Sequence, residues 1–65
     1  MEKYEFEKEW EKVNVKDKGF VCVKLANLEG GLFVDEYKID RNEVYLRANK
    51  TLIAIIPLYN ITEVF

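Results

Sequence analysis

The chain has 65 residues, 49% of them hydrophobic and 34% charged, with a formal net charge of −2. That length gives a single domain, residues 1–65, with little capacity to bury a core, and the composition excludes a disordered tail. Charge is evenly spread, with six acids and five lysines in residues 1–18, so there is no basic block of the kind that marks nucleic-acid binding.

Residues 2–12, Glu-Lys-Tyr-Glu-Phe-Glu-Lys-Glu-Trp-Glu-Lys, fit two patterns. As a helix, Phe6, Trp10 and Val13 form one stripe at i, i+4, i+7. As a strand, Glu5, Glu7, Glu9 and Glu11 alternate against Tyr4, Phe6, Lys8 and Trp10. The strand points Lys8 and Lys12 inward, whereas the helix only leaves Tyr4 off the stripe. The helix is preferred, and its stripe is then available to cover one side of a sheet. The expected layout is a short N-terminal helix over 1–12 and a β-meander over 13–65.

Val13-Asn14-Val15 alternates and is expected to begin the sheet. Lys16-Asp17-Lys18-Gly19 reads as a turn, with Gly19 placed for a positive φ. Phe20 to Leu25 is a valine-rich strand, with Val21, Val23 and Leu25 opposite Phe20, Cys22 and Lys24. Gly30-Gly31 suits a turn or bulge. Leu32 to Ile39 reads as one strand in which Phe33, Tyr37 and Ile39 share a face with Asp35.

After Asp40-Arg41-Asn42 comes Glu43 to Ala48, with Val44, Leu46 and Ala48 inward and Tyr45 and Arg47 outward. Asn49-Lys50 is a two-residue hairpin turn, because asparagine tolerates the left-handed conformation. In the next strand, Leu52, Ala54 and Ile56 line one face and Ile53 and Ile55 the other. Both faces are apolar, so this strand is expected to be covered on both sides, by the N-terminal segment or by a second subunit. Pro57 ends it. Pro57 to Asn60 forms a helical turn, and Ile61 to Phe65 is the closing strand.

Two stretches resemble the small β-barrels of the Sm-like and Src-homology-3-like type. Val21 to Leu25 with Gly30-Gly31 and Leu32 to Tyr37 is similar to the opening Sm-like pattern of strand, turn and bent second strand. Ile56 to Val64 is similar to the helical turn and closing strand of Src-homology-3-like barrels. The resemblance implies a mainly β fold, a five-stranded antiparallel meander curled into a barrel. It implies no function: the basic, base-stacking positions of an Sm-like RNA pore and the acidic-aromatic segment of proline-binding domains have no counterpart here.

Catalytic chemistry finds few residues. Serine and histidine are absent, so neither nucleophile–histidine pairing is available. Cys22, the one cysteine, reads as a small core or interface residue and forms no internal disulfide. Asp35, Glu36 and Asp40 lack any known cation-loop spacing, and Gly30-Gly31 lacks the context of a phosphate cradle. No catalytic residue, cofactor or metal is assigned. No stretch reaches the roughly 18 apolar residues of a membrane span. A lone thiol and a charged N-terminus without a secretion signal suit the cytoplasm, which makes the glycosylation sequons at Asn49 and Asn60 coincidental.

The leading expectation is a non-enzymatic protein-interaction module that self-associates, with a larger protein as a further possible target. Ile53, Ile55 and Phe65 are the expected contacts, with Tyr45 and Arg47 at the rim, since tyrosine and arginine are enriched at interfaces. The alternative is an Sm-like oligomer binding RNA or a nucleotide, with tyrosines as stacking platforms.

Overall fold

A computed structural model describes residues 1–65. Helix α1 runs Lys3–Lys12. The Glu5 carboxylate reaches back to accept from the Glu2 N–H at 3.4 Å, a capping interaction that favours the helical alternative. Lys12 pairs with Glu9 at 2.9 Å on the exposed side. The apolar stripe is as expected: Phe6 is fully buried, and Trp10 and Val13 pack against the core.

Val13 to Val15 does not begin the sheet. Val15–Lys18 instead forms a single helical turn, α2, closed by Gly19 at φ 88°. Gly19 donates its N–H to the Val15 carbonyl at 2.7 Å, a left-handed cap that glycine adopts without Cβ strain.

Six strands follow: β1 (Val21–Leu25), β2 (Gly31–Val34), β3 (Glu36–Asp40), β4 (Glu43–Ala48), β5 (Thr51–Pro57) and β6 (Ile61–Val64). They form two antiparallel three-stranded sheets, ordered β2-β1-β6 and β3-β4-β5. The fold is mainly β, but it is neither a five-stranded meander nor a closed barrel. The physical reason lies at Asp35. The stretch Leu32 to Ile39 is not one strand; Asp35 interrupts it, and its N–H donates to the Arg47 carbonyl at 2.9 Å. On either side of that residue the chain belongs to different sheets.

The break also resets the alternation. Val34 is buried and Phe33 exposed in β2, whereas Tyr37 and Ile39 pack on the core in β3. Phe33 and Tyr37 therefore do not share an environment, contrary to a period-2 reading.

The connections follow local chemistry. Asn49 and Lys50 both take positive φ, 51° and 67°, in the β4–β5 hairpin. A 3-10 turn over Leu58–Asn60 links β5 to β6, directly after Pro57. The core is a cluster of Phe6, Val21, Val23, Val34, Val44, Leu46, Leu58, Ile61 and Val64. It draws on α1, the 3-10 turn and both sheets. Tyr37 closes it beside α1, with its ring 4.9 Å from that of Phe6 and 4.6 Å from that of Trp10, edge to face.

Candidate functional site

Strand β5 lies at the edge of its sheet. It pairs with β4 on one side and has no partner on the other. Its register slips between Leu46 and Arg47: Ala54 faces Leu46, but Leu52, not Ile53, faces Arg47. Ile53 is the extra residue of a β-bulge. The bulge shifts Leu52 out of the Ala54–Ile56 row and pairs it with an outward-facing residue. Leu52, Ile53 and Ile55 are 42%, 47% and 44% exposed.

Of the two covers expected for this strand, the N-terminal segment does not supply one. Within one subunit the outer face of β5 is bare. Helix α1 does not reach it, because Phe6 and Trp10 are engaged with Tyr37 and the core. Of this strand only Ala54, Ile56 and Pro57 are half-covered.

Tyr45 and Arg47 complete this surface. Tyr45 sits opposite Ile55 on one side and Lys38 on the other; Arg47 sits opposite Leu52 and Glu36. Both are half-buried. The result is an aliphatic face of Leu52, Ile53 and Ile55, bounded by a tyrosine and an arginine.

Phe65 is not part of it. It exchanges backbone hydrogen bonds with Cys22, at 2.7 and 2.9 Å, beyond the end of β6. That places it on the outer face of the other sheet, where Cys22 in turn faces Phe33. Of the five residues expected to form one contact surface, Ile53, Ile55, Tyr45 and Arg47 lie on one sheet and Phe65 lies on the other. Phe20 and Phe33, both exposed, belong with Phe65. Their grouping is invisible to a strand-by-strand reading, because it depends on the β1–β2 and β1–β6 registers.

The remaining candidate residues have structural roles. The Asp35 carboxylate accepts the Asn49 N–H at 3.0 Å, tying the β4–β5 turn to the β2–β3 junction. Asp35, Glu36 and Asp40 do not gather with other ligands into a metal-binding group. Cys22 is a buried free thiol, with its Sγ under Gly31. No residue in the buried set is polar or charged, so the interior offers apolar contact and no acid–base pair. No helix is long and apolar enough to cross a membrane.

Burial raises the pKa of the Tyr37 phenol above its ordinary value of 10.0, and the nearby carboxylates of Glu7 and Glu11 add to the effect. The phenol therefore stays neutral to higher pH than a free tyrosine.

Compared with known protein families, curated proteins and solved structures, the chain matches none.

Proposed function

We propose that this protein is a non-enzymatic interaction module that self-associates through the outer face and free edge of β5. The observation that supports it is the exposure of Leu52, Ile53 and Ile55 on a strand whose second edge is unpaired. Exposed edges attract strand pairing, and natural sheets usually blunt them with charge or proline. Between Leu52 and Ile56 this edge carries neither. Each half-exposed aliphatic side chain has roughly 1 kcal/mol still to gain from burial. A second copy covers that area and pairs the edge at once.

Of the Sm-like and Src-homology-3-like pattern, the two open sheets keep the bend at Asp35 and the 3-10 turn before β6. Nucleotide or RNA binding by the Tyr45–Arg47 surface gains no support, because both side chains are half-buried and the acidic Glu36 lies opposite Arg47.

Size-exclusion chromatography with light scattering tests self-association. The wild type is expected to elute above the 7.7 kDa of one chain in a concentration-dependent manner. The Ile53→Asp/Ile55→Asp variant is expected at monomer mass with an unchanged circular dichroism spectrum. A wild type that stays monomeric at all concentrations rejects the proposal, as does a folded variant with wild-type mass.

A further inference from the structure

Four strands lie at sheet edges, and they differ in what they offer a second copy. The edge strands are β2, β6, β3 and β5. Strands β2 and β6 are four residues long, and β6 carries Glu63. Strand β3 is charged at Glu36, Lys38 and Asp40. Short strands and charges are devices by which natural sheets keep their edges from pairing. Strand β5 has neither: it runs for seven residues, none of them charged.

The open side of β5 has backbone groups to offer. Leu58 donates its N–H to the Asn42 carbonyl at 2.8 Å. Antiparallel ladders alternate, so counting back from Leu58 turns the backbone groups of Ile56 and Ala54 toward β4 and those of Ile55 toward the open side. Pro57 also falls on the open side, where its missing N–H breaks no bond to β4. The uncharged run Leu52–Ile56 has Ala54 at its midpoint. Lys50 stands just before one end of the strand, and at the other end Glu43 pairs with Pro57. Both charged residues are exposed, and neither is ion-paired.

Given self-association through β5, on which this rests, we infer that β5 pairs antiparallel with β5 of a second copy about a two-fold axis at Ala54, and that assembly stops at this dimer. Such pairing sets Ile53 opposite Ile55 of the second copy and Leu52 opposite its Ile56, so apolar residues meet apolar ones along the whole run. Thr51 then lies opposite the second copy's Pro57. Lys50 comes within about two strand spacings, roughly 10 Å, of that copy's Glu43, a gap that the two side chains span by reaching toward each other. Symmetry makes this pair twice. Parallel pairing in register would set Lys50 beside Lys50, so charge complementarity selects the antiparallel arrangement. An isologous contact occupies the same edge on both copies and closes, joining two three-stranded sheets into one of six. Pairing β5 with β3 would leave a free β5 at one end and grow an open chain, and the charges of β3 oppose it.

The test uses the whole chain. Light scattering at high concentration is expected to give twice the 7.7 kDa of one chain and no larger species. The residues on the axis form a close antiparallel pair, with Cα atoms about 4.5 Å apart, which is within disulfide range. Ala54→Cys in a Cys22→Ala background is therefore expected to give a covalent dimer on oxidation by glutathione disulfide. Thr51→Cys, away from the axis, is expected to give none. Lys50→Glu and Glu43→Lys, at exposed sites, are each expected to weaken dimerisation about tenfold, and the two together to restore it to within about threefold.

A mass above the dimer, no crosslink at Ala54→Cys, or crosslinking of Thr51→Cys as fast as Ala54→Cys overturns the two-fold arrangement and leaves self-association standing. So do charge reversals whose effects add instead of cancelling. A wild type that is monomeric at every concentration overturns both.

Discussion

Replacing Phe6 by alanine tests how the helix is bound into the fold. Phe6 is the one residue of α1 that is fully buried, and its ring meets both Tyr37 and Trp10, at centroid distances of 4.9 and 5.9 Å. Truncating a buried phenylalanine costs about 3–5 kcal/mol, part lost transfer energy and part cavity. A domain of this length has a total stability of roughly 3–10 kcal/mol at the usual value per residue. Phe6→Ala is therefore expected to remove between a third and all of it, with α1 undocking from Tyr37. Urea unfolding followed by Trp10 fluorescence and far-ultraviolet circular dichroism measures the loss. Phe6→Leu, which retains most of the volume, keeps the experiment readable and is expected to cost about 1 kcal/mol. Tyr4→Ala, on the exposed side of the same helix, is expected to change stability by less than about 0.5 kcal/mol. Equal losses for Phe6→Ala and Tyr4→Ala, or a Phe6→Ala loss under about 1 kcal/mol, refute the view that α1 is part of the core.

Gly31→Ala drives a Cβ into Cys22 Sγ and to 3.3 Å from the Val23 carbonyl oxygen, and a cost of about 1–3 kcal/mol is expected in urea melts; adding Cys22→Ala should recover most of it, and full additivity of the two losses would contradict the clash. Lys50 holds φ 67°, a conformation that costs a side chain about 1 kcal/mol, so Lys50→Gly is expected to raise stability by up to that amount; a lower thermal midpoint would count against the strain. The raised pKa of Tyr37 means that the folded chain holds its phenolic proton to higher pH than the unfolded chain. Its contribution to stability is present below about pH 10 and is lost as pH rises through the folded-state value. Spectrophotometric titration is expected to show Tyr37 ionising above the ordinary value of 10.0, and Glu7→Gln/Glu11→Gln to lower that value; an unchanged titration in that variant would remove the carboxylates as a cause.

Features fixed by local chemistry were legible in the sequence. The Phe6–Trp10–Val13 stripe, the left-handed Gly19, the Asn49-Lys50 turn and the helical turn after Pro57 each depend on a few adjacent residues. What the sequence hid was interruption. Period-2 alternation assumes an unbroken ladder, and two residues break it. Asp35 separates β2 from β3, which sends Phe33 outward and Tyr37 inward. Ile53 bulges, which turns Leu52 outward. Aspartate is depleted in strands, so Asp35 carries a weak local signal, whereas Ile53 carries none and its bulge appears only in the register with β4. Phe65 was misplaced for the same reason: its neighbours follow from the pairing of the chain's end with β1, a contact between residues 43 positions apart (Cys22 and Phe65).

The two uncovered faces have one physical origin. The inner faces of both sheets share a single core, and α1 is the only longer element left to cover anything else. Phe6 and Trp10 commit it beside Tyr37, so no layer remains for either outer face. A chain of this length that worked alone would lose little by carrying polar residues there, since exposed substitutions are usually close to neutral. Instead one face holds Leu52, Ile53 and Ile55 beside Tyr45 and Arg47, and the other holds Phe20, Phe33 and Phe65. The aliphatic face lies along an open strand edge, which suits a like strand. The bulge at Ile53 is the hinge of that argument. Without it Leu52 would return to the inner row, and the β5 face would shrink to Ile53 and Ile55, too little apolar area to draw a second copy.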